Sequence, residues 1–455
     1  MRYHNPDRIL LNFLTAGLPN QKPSVTMASA PSCNFSRSIH TLKRFHHDKP
    51  RGDVFKAMML QGLIGGPMGI SLKVCDFDPL ERSRGLSNKD ISDRISSSKK
   101  RLGDKIIILG HHYQRDSIIK HTDLIGDSFL LSKMAADSSS EFVIFCGVHF
   151  MAESADILTR ENQKVILPNL RAGCSMADMA NLEDVTKCWN SIIENLGLLD
   201  PIDRKDPSLP APENENYLIP ITYMNSSASL KAFVGSHGGI VCTSSNAEGV
   251  LKWAFERAGK NGKILFFPDQ HLGKNTGLKM GLSNEEMVTW VPNESRGEKE
   301  WEEIEKSKLI LWHGYCSVHR RFSTQQISKF REEYPEGLVV VHPECKTDVV
   351  NAADSTGSTE FIRNFVKKAP EGSTIGVGTE INMVQRLNEE YPNKEVICLD
   401  PSICPCSTMY MIHPIYLLDV LERIESNEIP NQIIVSENDK NYASIALNRM
   451  LSINS

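Results

Sequence analysis

The 455-residue chain is too long for a single hydrophobic core, so roughly two to four domains are expected. Its 51 Lys and Arg against 56 Asp and Glu give a formal charge of -5, which excludes a chain-wide nucleic-acid footprint, and no apolar run approaches the roughly 18 residues of a membrane span. Eleven cysteines, an odd number in a long chain without an evident secretory signal, argue against a disulfide framework and leave core thiols or metal ligands.

Residues 1–52 are basic and Ser-rich, with Asp7 and Asp48 as their only acids. That composition suits an organelle transit peptide, a disordered tail, or a start assigned too far upstream, with Met58, Met59 and Met68 as internal starts. No structure is expected of 53–85. Ser87 caps a helix running to Arg101. Residues 105–110 form a β-branched run bounded by Gly, the pattern of a buried parallel strand, and it ends in His111, His112, Tyr113 and Gln114. The same unit recurs: strands over 142–147, 217–222, 239–242, 263–267, 338–341 and 374–378 run into polar residues, with helices such as 226–234 and 360–368 between them. Strands alternating with helices mean βαβ units and parallel sheets, in which ligands sit at the carboxyl ends of strands.

A longer period overlies these units. Three strands end in polar triads: His111-His112-Tyr113, Tyr223-Met224-Asn225 and His342-Pro343-Glu344. A hydroxyl cluster follows each, at Ser128, Thr243-Ser244 and Ser358-Thr359, and then a cysteine in a Gly- or Pro-containing loop: Cys174, Cys316 and the pair Cys404/Cys406. Three similar α/β domains facing one another are expected. The predicted organisation is an N-terminal extension (1–85), a first domain (86–194), a surface insertion (195–216), a second domain (217–333), and a third with C-terminal helices (334–455).

No CxxC pair stands at zinc-ribbon spacing. One thiolate from each of three domains would make a trigonal site able to hold a [4Fe–4S] cluster with one open iron, a Lewis acid; the bland alternative for each loop is a buried or turn cysteine. His342 and Glu344 stand two apart at a strand end, so both can face one site. Glu344 is a candidate general base or a helix-cap partner, and His342 or His319 a proton donor or anion ligand. Tyr113 and Tyr223 bind substrate or simply pack. Hydroxyls at Ser128, Ser244, Ser358 and Thr359 either cap helices or, at exposed helix starts, bind phosphate and carboxylate.

Together these motifs resemble the quinolinate synthase family of NAD biosynthesis, from about Ser87 to Leu451. The resemblance is carried by Gly110-His111-His112-Tyr113-Gln114, Gly126-Asp127-Ser128, Gly147-Val148-His149-Phe150-Met151-Ala152-Glu153, Cys174-Ser175-Met176-Ala177 and Tyr223-Met224-Asn225-Ser226. Thr243-Ser244-Ser245-Asn246-Ala247, Gly314-Tyr315-Cys316-Ser317-Val318-His319, His342-Pro343-Glu344-Cys345, Gly357-Ser358-Thr359 and Gly378-Thr379-Glu380 complete it. It implies a pseudo-threefold arrangement of three α/β domains around a central active site with a [4Fe–4S] cluster. The implied reaction condenses iminoaspartate (iminosuccinate) with dihydroxyacetone phosphate to give quinolinate, phosphate and water, as an iron–sulfur synthase of the transferase class. The implied cluster ligands are Cys174, Cys316 and Cys406, with Cys404 the alternative to the last. The implied substrate ligands are His111, Ser128, Tyr223, Asn225, Ser244, His342, Glu344 and Thr359, and the proton-transfer groups are Tyr113, His319 and Glu344. Iminoaspartate is expected from an aspartate oxidase or dehydrogenase, with no nucleic-acid or membrane partner. The location is expected to be cytoplasmic, or an organelle if 1–52 is a transit peptide.

Two features depart from the family pattern: the first 85 residues, and the 195–216 insertion, which is expected to be peripheral. Competing readings are a non-catalytic iron–sulfur sensor and a metal-free lyase or aldolase. The sensor has no need of the polar triads, and the aldolase lacks a strand-end Lys. No GxGxxG follows a strand and no GK[ST] occurs.

Overall fold

The protein was analysed as a computed structural model, which describes residues 85–400, 402 and 405–453. The basic segment 1–52, the stretch 53–84 and Cys404 lie outside the described residues. The predicted first helix is α1 (Asn88–Leu102), held at its start by a reciprocal cap in which Ser87 and Asp90 exchange hydrogen bonds.

Three parallel sheets follow, built to one plan. The first contains β1 (Ile106–His111), β2 (Leu124–Gly126), β3 (Phe142–Cys146) and β4 (Lys164–Ile166), in the order β2-β1-β3-β4. Helix α2 (Ser128–Asp137) follows β2, and α3 (His149–Leu158) follows β3. The second contains β5 (Leu218–Tyr223), β6 (Ile240–Cys242), β7 (Lys263–Phe267), β8 (Met287–Trp290) and β9 (Leu309–Trp312), in the order β6-β5-β7-β9-β8. Its helices include α4 (Ala228–Ser236), α5 (Ala247–Ala258) and α6 (Gln270–Lys279). The third contains β10 (Leu338–Val341), β11 (Ser355–Thr356), β12 (Thr374–Gly378) and β13 (Glu395–Cys398), in the order β11-β10-β12-β13, with α7 (Thr359–Lys368) and α8 (Ile381–Glu390). In each sheet the first strand lies between the second and the third, and another strand flanks the third. The second sheet adds β8 at its edge.

The predicted strands recur within a residue or two of their expected limits, because their Ile, Val, Leu and Phe are buried on both faces as parallel strands require. Small devices repeat as well. Asp123 accepts the Ile108 amide at 2.8 Å, and Asp354 accepts the Val339 amide at 2.7 Å, each pinning the start of a first strand from fifteen residues away.

The chain beyond the third sheet turns back onto the other two. Helix α9 (Pro414–Glu425) packs on α1, β14 (Gln432–Ile433) joins β4 antiparallel, and α10 (Glu437–Ser452) packs along α4. The exposed Arg101–Glu425 pair contributes about 0–1 kcal/mol, so burial of Leu417, Leu418, Leu421, Leu447 and Met450 holds the tail in place. The segment 195–216 begins inside the helix Leu182–Leu196 and closes on itself where Leu199 meets Tyr217. Asp200 fastens it by accepting from Trp189 Nε1 at 2.9 Å and pairing with His237 Nδ1 at 2.8 Å.

The α4–α10 contact makes a sharp prediction. A Cβ at Gly235 runs into the Tyr442 carbonyl oxygen, which is backbone and has little room to move. Gly to Ala in an ordinary helix stabilises by about 0.5–1 kcal/mol. Here Gly235→Ala is expected to cost about 2 kcal/mol and lower the thermal midpoint by roughly 3 °C, read by differential scanning fluorimetry.

Candidate active site

The strand-end residues, the helix starts and the cysteine loops meet in one cleft of about 660 Å³ that opens to solvent. Its wall includes His111 and Tyr113 at the end of β1, Tyr223 and Asn225 at the end of β5, and His342 and Glu344 after β10. Ser128, Ser244 and Thr359 reach it from the segments that begin α2, α5 and α7, and Cys174, Cys316 and Cys406 line it from the three loops. Of the described sequence-predicted site residues, Ser358 and His319 are not on this wall. His319 lies directly behind Glu344, with Nδ1 at 2.7 Å from Oε2.

Glu344 is 3% exposed and joins groups from all three sheets. Its Oε1 accepts the Tyr223 hydroxyl at 2.6 Å. His319 Nε2 lies 3.1 Å from Thr379 Oγ1, and that hydroxyl lies 2.7 Å from the Tyr113 hydroxyl. His342 stacks on His319 with ring centroids 4.4 Å apart. Burial pushes the Glu344 carboxyl up, but His319 and His342 beside it, with hydrogen bonds from His319 and Tyr223, outweigh burial and hold it well below the usual range. Burial and the Glu344 charge raise both tyrosines well above their usual value. Burial lowers His342 to about 3 and takes His111 well below its usual value. The site at neutral pH therefore holds an ionised carboxylate against neutral imidazoles at 111 and 342 and neutral phenols.

Glu344 is not a helix cap: the following helix, Thr347–Ala352, has Lys346 at its start and no side-chain cap. The hydroxyls divide. Ser358 caps α7 by accepting from Phe361, whereas α2 is capped by Asp127. Thr359 is 4% exposed, and its Oγ1, in the cleft wall, has no hydrogen-bond partner among the described residues. Thr379, the hub between His319 and Tyr113, went unassigned in the sequence reading although the Gly378-Thr379-Glu380 motif was noticed.

The three cysteine loops have the same backbone. In each, the carbonyl of the cysteine accepts the amide four residues on, from Asp178, Arg320 and Tyr410 at 2.9–3.0 Å. A 3₁₀ turn begins at the third residue after each cysteine: Ala177–Met179, His319–Arg321 and Met409–Met411. Backbone amides of these turns favour the ionised sulfurs: Met176 and Ala177 for Cys174, His319 for Cys316, Thr408 and Met409 for Cys406. The signal that could have exposed this was a Cys-Ser dipeptide at 174, 316 and 406.

Each turn is also tied to the next sheet at the fifth residue after its cysteine. Trp312, at the end of β9, donates to the Met179 carbonyl at 2.7 Å. Arg321 donates to Asp400, after β13, at 2.8 Å. Asn169, after β4, donates to the Met411 carbonyl at 3.0 Å. First, second and third sheets thus close a ring.

The residues present fit a cluster. Three soft donors line one cleft, each beside backbone amides that favour a thiolate, and among the described residues no fourth cysteine lines it. Burial raises Cys174 to about 12 and lifts Cys316 and Cys406 as well, so a cation is needed to make them thiolates together. Cys316, His319 and Glu344 also bring S, N and O within 4.8 Å of one another, but His319 and Glu344 are already bonded to each other.

A family profile described as "Quinolinate synthetase A protein" matches residues 93–452. The chain belongs to the quinolinate synthetase A family. It is 52% identical over 374 residues to the quinolinate synthase of Corynebacterium glutamicum, covering 82% of this chain and 90% of that one. It is 47% identical to the quinolinate synthase of Herpetosiphon aurantiacus over 81% of this chain and 94% of that one. It is 45% identical to that of Acidobacterium capsulatum, over 83% and 97%. Among the described residues no helix of this family member is long and apolar enough to cross a membrane.

The buried imidazoles predict an acid weakness. His111 and His342 stay neutral in the fold, but unfolded histidines take up protons below about 6.5. The unfolded state then binds more protons, so stability is full above pH 6.5 and falls as pH drops from 6.5 toward 3. The urea midpoint of the iron-free protein is expected to fall between pH 7 and pH 5, and His342→Asn to flatten that slope.

Proposed function

We propose that this protein is a quinolinate synthase that condenses iminoaspartate with dihydroxyacetone phosphate, releasing quinolinate, phosphate and water. In this reading Cys174, Cys316 and Cys406 hold a [4Fe–4S] cluster. The observation that carries it is the convergence of three matching cysteine turns on the same cleft as the Glu344–His319–Tyr223 network.

When bound, a cluster with one open iron supplies a Lewis acid for dehydration. The side chains carry the rest. Glu344, held ionised, is the base for an acidic C–H; the Tyr223 hydroxyl donates to its Oε1 and fixes its aim, and His319 Nδ1 at Oε2 can share the proton it takes up. Tyr113, in contact with Thr379 and His319, returns protons to a leaving hydroxyl. His111, Tyr223, Asn225 and His342 orient carboxylates through neutral donors. Ser128, Ser244 and the unpartnered Thr359 hydroxyl, at three helix starts, suit phosphate and carboxylate oxygens. Thr408 and apolar Val148, Phe150, Met151 and Met409 complete the wall and limit water. Iminoaspartate, which hydrolyses readily, would come from an aspartate oxidase or dehydrogenase.

Anaerobic reconstitution tests this reading, with iron, sulfide and quinolinate measured for the wild type and for Cys174→Ala, Cys316→Ala, Cys404→Ala and Cys406→Ala. The expectation is about four irons per chain, lost together with activity in all but Cys404→Ala. An iron-free wild type that still makes quinolinate overturns the cluster, and iron without quinolinate favours a sensor. Glu344→Gln is expected to keep the cluster and lower kcat by about 10²–10⁴. Replacing 202–214 by a short linker across the Leu199–Tyr217 contact is expected to leave activity within a few-fold.

A further inference from the structure

Each sheet places a helix directly after its third strand, and the residue at the head of that helix sits beside the same sheet's cysteine loop. For the first two sheets the equivalence is fixed by backbone hydrogen bonds. His149, the first residue of α3, donates to the Ala172 carbonyl, two residues before Cys174. Gln270, the first of α6, donates to the Gly314 carbonyl, two residues before Cys316. The helix-heading residues are therefore Val148 in the first sheet, Asp269 in the second and Glu380 in the third. Asp269 and Glu380 are fully buried.

Glu380 does more than cap. It accepts the Asn382 amide at 2.8 Å, and its other oxygen accepts the Cys406 amide at 3.2 Å and the Asn382 side chain at 2.8 Å. Asn382 then reaches the Tyr113 carbonyl at 3.3 Å. Asp269 Oδ1 accepts the His271 and Leu272 amides at 2.7 and 2.9 Å, the ordinary bonds of a cap, and its Oδ2 has no hydrogen-bond partner among the described residues. Capping an α-helix needs neither full burial nor a second contact to a metal-loop amide, so a cap alone does not account for Glu380.

We infer that Glu380 is a positioning residue for the cluster, fastening the backbone of Cys406 to the framework of its sheet, and that Cys174, which has Val148 at this place, and Cys316, to which Asp269 makes no hydrogen bond of ordinary geometry, are the less supported ligands. The inference rests on the cluster reading above. Partners that orient metal ligands without touching the metal change metal affinity by about 10- to 100-fold when removed. Glu380 also steadies the loop of Tyr113, so its loss disturbs a proton-transfer group along with a thiol.

The test is made on the reconstituted full chain challenged anaerobically with an iron chelator. Iron release is followed by absorbance, and the three cysteines by alkylation and peptide mass spectrometry. In the wild type, Cys174 and Cys316 are expected to be alkylated before Cys406. Glu380→Leu is expected to release iron about 10-fold faster or more, with Cys406 becoming as quick to react as the other two. Glu380→Gln keeps an oxygen for the Cys406 amide and is expected to stay within about 2-fold of wild type. Apo-protein thermal midpoints separate this from loss of fold. If the leucine variant does not fold, the wild-type order of alkylation still decides. Simultaneous alkylation in the wild type, or a leucine variant that folds and releases iron at the wild-type rate, overturns the inference. A wild type that takes up no iron removes the cluster reading, and this inference with it.

Discussion

The structure of the site depends on three ties between each cysteine turn and the fourth-strand end of the following sheet: Trp312 to Met179, Arg321 to Asp400, and Asn169 to Met411. Each tie alone contributes on the order of 1 kcal/mol, little beside the hydrophobic burial inside each sheet's own core. Their importance lies in closure. Any two fix the approach of the sheets, and the third then forms without further ordering cost. Strung far apart along the chain, Cys174, Cys316 and Cys406 can share a centre only if this ring is shut.

The same closure builds the proton network. Tyr113, Tyr223 and Glu344 come from different sheets, and His319 comes from a cysteine turn. A buried carboxylate without partners costs several kcal/mol, so Glu344 is tolerable only when Tyr223 and His319 have arrived. Fold and chemistry are thereby coupled. The conformation that brings the thiols together is also the one in which the Glu344 carboxylate is ionised and held in place.

Much of this was legible in the amino-acid sequence, for reasons that differ by residue. Strands such as β1, β3 and β7 are five or six residues long with four Ile, Val, Leu or Phe each, and length and branching identify them. β2, β11 and β14 have two or three residues and no pattern of their own; pairing to a longer neighbour makes them strands. β9, Leu309–Trp312, was readable and was passed over. Polar residues just after strands marked the cleft, because a soluble core has no other use for His111-His112-Tyr113 at that place. Thr379 and Glu380 were hidden for the opposite reason. A hydroxyl or an acid before a helix already has an ordinary explanation in capping, and only the fold reveals the second partner. The third ligand was chosen from a short motif. What supports Cys406 in three dimensions is that its turn repeats those of Cys174 and Cys316 bond for bond.

The tail has a consequence for how the molecule comes into being. α9 and α10 leave the third sheet, to which they belong in sequence, and seal the first and second. During translation the first two sheets can fold as they emerge, whereas the Cys406 turn and the helices that brace the assembly appear only afterwards. On the proposed cluster reading, iron–sulfur delivery would meet a nascent chain with two thiols ready and one missing. Loading would then belong to the period after release from the ribosome, and a prematurely terminated product would expose a half-made metal site.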